Sequence, residues 1–116
     1  MTILHIYLLG APRFELCDKP LSLGRRKSEA ILAYLAVTNK PQQRESLATL
    51  FWPEVTPSQA FSNLRRNLSV LRTIPGMNLM RTAQNLVWLD FQQIWLDVAE
   101  FKSGLSSIGL VDEINC

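Results

Sequence analysis

Cysteine and histidine are scarce in this chain, and their scarcity excludes several kinds of site. There is one histidine, His5, and the two cysteines, Cys17 and Cys116, lie far apart with no CxxC spacing. Protein metal sites usually draw on clustered Cys and His ligands, so we expect neither a metal nor any other cofactor. We also expect both thiols to be reduced, as in a cytoplasmic protein, and not to belong to a disulfide framework.

The residues that most catalytic mechanisms require are missing as well. The chain has no evident carboxylate pair and no nucleophile with a histidine partner, and Gly10 and Gly24 are isolated turn residues outside any phosphate-binding loop. We therefore expect no enzymatic activity. The longest apolar runs, 3–9 and 31–37, are much shorter than the ~20 residues of a membrane-spanning helix. The N-terminus shows no secretory signal.

Acidic residues are rare in the middle of the chain, and the overall net charge of +2 conceals this. Residues 25–81 contain nine Lys and Arg against three acids, a net charge of +6. Residues 82–116 contain one Lys against five acids, a net charge of −4. A basic segment of this kind favours a polyanionic partner, and the alternative is a chance unevenness of charge.

At 116 residues and 47% hydrophobic composition, the chain is long enough for one domain with a true core. The first 24 residues predict three short antiparallel strands, because apolar residues alternate in RFEL and PLSL and turn residues separate the runs. Helical periodicity predicts two helices next, over about 26–37 and about 44–52. In the second of these we expect Leu47, Leu50 and Phe51 to face inward.

The third helix has the most clearly marked start. Thr56 can cap its N-terminus, Pro57 suits the first helical position, and Gln59 completes a T-x-x-Q capping box. The helix should end by Ile74, because Pro75 follows directly and is itself followed by glycine.

The third helix is strongly two-sided. At about 100° per residue, one side is apolar and is expected to be buried. Its members are Ala60, Phe61, Leu64, Leu68 and Leu71. The opposite side contains no acidic residue, which is unusual for a solvated helix. Its members are Ser58, Ser62, Arg65, Arg66, Ser69, Arg72 and Thr73.

A β-hairpin is predicted after the third helix. The runs NLMRT and LVWLD flank a short AQN turn, in which Asn85 could adopt a positive φ. A last short strand, IWL, leads to Asp97 and Glu100, whose capping-box spacing predicts a terminal helix. The three tryptophans are interpreted as packing residues of the core or the hairpin: Trp52, Trp88 and Trp95.

Several segments together resemble a known family. They are LLGAPRFEL, LSLGRRKSEAILAYLAV, RESLATLFWPE, QAFSNLRRNLSVLR, LVWLD and IWLDVAEF. Their order is similar to that of the N-terminal DNA-binding domain of the SARP family (Streptomyces antibiotic regulatory proteins), an OmpR-type winged helix-turn-helix. The resemblance covers about residues 3–101, and the tandem of LFWPE and NLRRNLSVLR is its most specific part.

The order of elements and the resemblance both imply an α+β winged helix-turn-helix. It would consist of an N-terminal three-stranded antiparallel sheet (1–24), a core (25–101) and a C-terminal tail (102–116). The core would contain three helices, including a recognition helix at about 57–74, and a C-terminal β-hairpin wing at about 79–96. Because the family continues into a helical activation domain, the resemblance implies that the tail could be the start of such a domain in a longer regulator, or that the chain is a stand-alone remnant of one.

The function implied is sequence-specific binding of double-stranded DNA by a bacterial transcriptional regulator in the cytoplasm. The recognition helix would lie in the major groove and the wing near the minor groove. The resemblance also implies RNA polymerase as a partner and direct DNA repeats as targets. We expect the chain to be a monomer in solution, with head-to-tail association of subunits on the DNA.

Base contacts are expected from the middle of the recognition helix, because Arg can hold guanine through two hydrogen bonds and Ser can reach bases or phosphates. The candidates are Ser62, Arg65, Arg66 and Ser69. Phosphate or wing contacts are expected from basic and polar residues elsewhere. The candidates are Arg25, Arg26, Lys27, Arg44, Arg72, Thr73, Arg81, Gln84 and Asn85.

Other interpretations of the same residues remain open. Arg65 could pair with Glu45 or Glu54. Arg26 and Lys27 could simply be solvated. The alternative function is a winged-helix module that binds protein, or the regulatory module of a larger signalling ATPase, and exposed aromatic residues on the third helix would favour it. The stacked-aromatic signatures of RNA-binding modules are absent.

Overall fold

The computed structural model describes residues 2–98 of the chain. Residues 2–22 with 91–98 form one compact unit, and Leu23–Asp90 form a second. The described elements include a four-stranded mixed sheet, a three-stranded sheet and three α-helices, so the predicted α+β class is confirmed. In chain order they are β1 (Leu4–Tyr7), β2 (Arg13–Leu16), β3 (Lys19–Leu21), α1 (Arg26–Thr38), β4 (Gln42–Gln43), α2 (Arg44–Phe51), α3 (Pro57–Arg72), β5 (Met80–Ala83), β6 (Leu86–Leu89), a 3₁₀ turn (Phe91–Gln93) and β7 (Ile94–Leu96).

The first unit is a sheet with the strand order β3-β2-β1-β7. β1 pairs antiparallel with β2, and β2 antiparallel with β3, so the three predicted N-terminal strands are present. The sheet also has a fourth strand, because β7 pairs parallel with β1. The hairpin expected over 79–96 is correspondingly shorter and ends at Leu89.

Asp97, directly after β7, links that strand to the end of β1. Its carboxylate accepts hydrogen bonds from the backbone amides of Leu8, at 2.9 Å, and Leu9, at 3.0 Å. These amides lie just beyond the end of β1, so the contact holds β7 and β1 side by side. Asp97 and Val98 are helical, as the predicted terminal helix requires, and the remainder of that helix, including Glu100, and the tail 102–116 lie outside the described residues.

The two faces of this sheet differ because successive side chains alternate along each strand. The aliphatic side chains of β1 are fully buried, whereas its aromatic ones join a cluster with Trp95. The Trp95 ring centroid lies 5.5 Å from that of His5 and 5.3 Å from that of Tyr7, and the Arg13 guanidinium lies 3.9 Å from the Tyr7 centroid. Burial and the nearby Glu15 carboxylate raise the pKa of the Tyr7 phenol above its ordinary value. The ring contacts of Trp95 make it a packing residue, as expected, but one that is half-buried on the first sheet and belongs to neither the core nor the hairpin.

The second unit combines the three helices with an antiparallel sheet of order β4-β6-β5. Both α1 and α2 contact α3, and α1 also contacts β6. Trp52, which follows α2, is 9% exposed and joins the core, as predicted. The fully buried aliphatic side chains of this unit come from all three helices and from the hairpin: Ile31, Leu32, Leu35, Leu47, Leu64, Leu68, Leu71, Leu79, Val87 and Leu89.

α3 begins where its sequence predicts. The Thr56 hydroxyl oxygen accepts a hydrogen bond from the backbone amide of Gln59 at 3.3 Å, and Pro57 occupies the first turn. The last helical residue is Arg72, and Thr73 is the C-cap, so the helix ends before Ile74, as predicted.

Two predictions about packing were wrong. Leu50 is 52% exposed, because the buried side of α2 runs through Leu47 and Ala48 and turns Leu50 outward. Phe61 is only half-buried, whereas Asn67 is 5% exposed. These two residues lie about 60° to either side of Leu64 around the helix, so the buried stripe of α3 is rotated toward Asn67.

The hairpin turn also differs from its prediction. Ala83 pairs with Leu86, so the turn contains two residues and not three. Gln84 adopts the positive φ, at 56°, that was expected of Asn85. The backbone carbonyl of Asn85 instead accepts a hydrogen bond from the amide of Arg44 at 2.8 Å, which fixes the orientation of that peptide.

Candidate nucleic-acid interface

The solvent side of α3 brings the four predicted base-contact residues together. Residues three and four apart share one face of a helix. Ser62, Arg65, Arg66 and Ser69 follow this spacing and line one shallow depression. Both arginines and Ser69 are exposed, and Ser62 is half-buried.

The arginines of this depression carry uncompensated charge. The ion pairs found in residues 2–98 are Arg13–Glu15 and Arg81–Asp90, so Arg65 pairs with neither Glu45 nor Glu54 there. The contact given for the Arg66 guanidinium is a long one, from its Nη1 to Asn63 Oδ1 at 3.5 Å. The face therefore presents guanidinium donors that no carboxylate occupies within the described residues.

The C-terminal end of α3 uses its two candidate residues differently. Arg72 is exposed in the last turn, where a positive charge interacts favourably with the carbonyl end of the helix dipole. The Thr73 hydroxyl donates to the carbonyl oxygen of Val70 at 2.8 Å and so closes the helix. Arg72 remains available to a ligand, whereas the Thr73 hydroxyl already has a partner.

A second group of candidates meets in a groove that the sequence alone did not predict. Gln43 pairs with Leu86 across β4 and β6, and the Arg44 amide donates to the Asn85 carbonyl. These bonds place the first turn of α2 beside the tip of the β5–β6 hairpin. We call the result the hairpin groove; its lining residues are Gln43, Arg44, Glu45, Phe61, Gln84, Asn85 and Leu86.

The hairpin groove joins residues that were predicted to act separately. Arg44 is half-buried, and Gln84 and Asn85 are exposed, so polar groups of α2 and of the hairpin face the same space. Phe61 of α3 also lines the groove. Arg65 is four residues further along α3 and therefore lies about one turn beyond Phe61 on the adjacent helix surface. The groove thus adjoins the basic side of α3.

Two other basic candidates have partners within the protein. Arg81, a predicted wing contact, forms an ion pair with Asp90 at 2.9 Å and is half-buried. The Lys27 ammonium donates to the backbone carbonyl of Phe51 and lies 5.4 Å from the centroid of the Trp52 ring. It compensates the carbonyl end of α2 and is not merely solvated.

Arg25 and Arg26 have a different setting from Lys27. Arg25 is the N-cap residue of α1 and makes no side-chain cap hydrogen bond, and Arg26 opens the helix. Both are exposed, and neither forms an ion pair within residues 2–98. These two residues fit the solvated alternative and a phosphate contact equally well.

Asn67 and its partners were missed as residues of the site. Asn67 lies on the buried side of α3, directly behind the arginine-bearing surface, and hydrogen-bonds to Ser28 of α1. A helical-wheel projection could have predicted the burial of Asn67, because Asn67 lies as close to Leu64 in angle around the helix axis as Phe61 does.

The chemistry of this unit is that of a cationic surface. Leu23–Asp90 contains nine Lys and Arg against four acids, a net charge of +5. Within residues 2–98, no three His, Cys, Asp or Glu side chains lie close enough to hold a metal ion. No helix in that range has the length and apolar character needed to cross a membrane.

Comparison with known proteins assigns no family to the chain. No protein-family model matches it, and no curated protein sequence matches it. The function of the site is therefore inferred from its geometry and its charge.

Proposed function

We propose that this chain is a sequence-specific double-stranded DNA-binding domain of a bacterial transcriptional regulator, with a winged helix-turn-helix architecture. The observation that carries the proposal is the solvent side of α3, where Arg65, Arg66 and Arg72 are exposed without an acidic neighbour on that face. A regulator of this kind works in the bacterial cytoplasm, and the resemblance to the SARP family makes RNA polymerase its expected protein partner.

The dimensions and chemistry of α3 suit the DNA major groove. An α-helix with its side chains is about 10–12 Å across, and the major groove of B-DNA is about 12 Å wide. Arg65 and Arg66 would each be able to hold the O6 and N7 atoms of a guanine through two parallel hydrogen bonds. Ser62 and Ser69, one turn to either side, would contact neighbouring bases or phosphates.

The elements around α3 would position it on the duplex. α2 contacts α3 and would cross the DNA backbone, as the first helix of a helix-turn-helix does. The hairpin groove would bring Arg44, Gln84 and Asn85 to the phosphates that border the occupied groove. Such contacts fix register and orientation, whereas the α3 side chains select the sequence.

A protein-binding module, the alternative function, would be expected to have a different surface composition on α3. Protein interfaces are enriched in aromatic residues and Met as well as Arg, so a protein-binding helix would be expected to present exposed aromatic residues beside its arginines. The aromatic residue of α3, Phe61, is half-buried in the hairpin groove, and the exposed middle of the helix is basic. This difference favours DNA as the ligand.

Selection of bound duplexes from a random pool tests the proposal. We expect the chain to enrich a common short site and the double variant Arg65→Ala/Arg66→Ala to enrich none. Both side chains are exposed, so the double variant should change the free energy of unfolding by less than about 1 kcal/mol. Lys40→Ala, which removes an exposed charge beyond the end of α1, is the matched control and should enrich the wild-type site. Failure of the wild-type chain to enrich any site would reject the proposal.

Assembly on DNA gives a second test. The opposite net charges of 25–81 and 82–116 suit association between unlike surfaces, which joins subunits head to tail and not about a two-fold axis. We therefore expect a monomer in solution that binds cooperatively to two half-sites when they are directly repeated about one helical turn apart. Equal or stronger cooperativity on an inverted arrangement of the same half-sites would contradict head-to-tail association.

A further inference from the structure

A buried polar network connects α1 to α3 behind the arginine-bearing surface. Ser28 is fully buried and Asn67 is 5% exposed, and they are the buried polar side chains of the described residues. The Ser28 hydroxyl donates to Asn67 Oδ1 at 2.7 Å, and Asn67 Nδ2 donates to the backbone carbonyl of Asn63 at 2.8 Å. We call Ser28, Asn67 and Asn63 the buried relay.

The buried relay leaves Asn67 one orientation. Turning its amide over would place an acceptor oxygen against the Asn63 carbonyl, which is also an acceptor, so the hydrogen bond from Nδ2 to that carbonyl would be replaced by a repulsive contact. Leaving a buried polar group without its partner costs far more than an exposed contact gains. The relay therefore fixes both ends of the Asn67 amide.

The buried relay ends at an arginine that is a predicted base reader. Asn63, whose carbonyl accepts from Asn67, is itself contacted through its Oδ1 atom by Arg66 Nη1 at 3.5 Å. A continuous series of contacts thus runs from Ser28 of α1 to the exposed Arg66 of α3. For the neighbouring Arg65, the hydrogen bonds within the described residues include no such contact to a side chain of α3.

Directional bonds control helix rotation better than aliphatic packing does. The leucines of α3 would keep most of their burial if the helix turned slightly about its axis, because the hydrophobic effect depends on area and not on direction. A hydrogen bond weakens steeply away from its preferred angle. In some coiled coils, a single buried asparagine fixes the register of the helices.

We propose that Asn67 is a positioning residue that, through its hydrogen bond to Ser28, fixes the rotation of α3 and so determines which bases Arg66 contacts. The inference rests on the proposed function, because it assigns a role within DNA recognition. Asn67 does not touch the DNA in this arrangement and acts only through α3 and Asn63.

The double variant Ser28→Ala/Asn67→Leu separates positioning from stability. Replacing both partners by apolar groups is nearly neutral for folding, so the melting temperature should stay within about 5 °C of the wild-type value. Affinity for random duplex should change by less than about twofold, because the phosphate contacts remain. Preference for the selected duplex over random duplex should fall by about three- to thirtyfold, since one guanine contact is misplaced.

Lys40→Ala, beyond the end of α1 and outside the buried relay, is the control and should leave the preference unchanged. Ser28→Ala alone keeps the shape of the core but leaves Asn67 Oδ1 without its donor, so it should lower both the stability and, in any folded fraction, the preference in the same direction. Full wild-type preference in a folded Ser28→Ala variant or in the double variant would overturn the positioning role alone. A wild-type chain that prefers no duplex would overturn the proposed function and the positioning role with it.

Discussion

Replacing Arg66 with alanine is expected to lower the chain's preference for its selected duplex over a random duplex by about 1–3 kcal/mol. Arg66 is exposed on the middle of α3, and the contact given for its guanidinium within the described residues is the 3.5 Å one with Asn63. A bidentate contact to guanine depends on the base, so its loss should weaken binding to the selected site much more than binding to other sequences. The two dissociation constants, measured at one salt concentration, give the preference.

Arg44→Ala is the matched comparison for Arg66→Ala. Arg44 lies in the hairpin groove, away from the middle of α3, and is expected to contact a phosphate. Its loss should weaken binding to the selected and the random duplex alike. If the two variants changed the preference equally, the division between base-reading and phosphate-contacting residues would be wrong, although DNA binding itself could survive.

The local elements of this fold were largely predictable from the sequence. The start of α3 depended on Thr56, Pro57 and the spacing to Gln59, and these signals act within a single turn of helix. The ranges of α1 and α2 followed from apolar periodicity in the same way. Each of these features is decided by residues that are neighbours in sequence.

Pairing between distant segments was not predictable. β4 contains only two glutamines and exists because it pairs with β6, and β7 joins β1 from the other end of the described chain. Two-residue and three-residue strands carry too little periodicity to reveal their partners. The hairpin groove, which depends on the pairing of β4, therefore could not be foreseen, although its individual members were candidates.

The candidate site likewise has a part that could be predicted from the sequence and a part that could not. The exposed side of α3 followed from helical geometry, and Ser62, Arg65, Arg66 and Ser69 do share one surface. The partners of Lys27 and Arg81 did not follow, because they come from α2 and from beyond the hairpin. Whether a surface cation is free depends on tertiary neighbours that its own helix or strand does not specify.

The salt dependence of duplex binding tests the central claim most directly, namely that the basic side of α3 and its surroundings bind DNA phosphates and bases. Each phosphate neutralised releases condensed counterions, so the logarithm of the association constant should fall linearly with the logarithm of salt concentration. The expected slope is about −0.9 for each phosphate contacted, and several contacts should lower the affinity by orders of magnitude between about 50 and 200 mM salt. Arg44→Ala should make the slope shallower by about one contact. A steep linear fall is the predicted result; a flat response at low salt, or no binding to any duplex, would contradict the account.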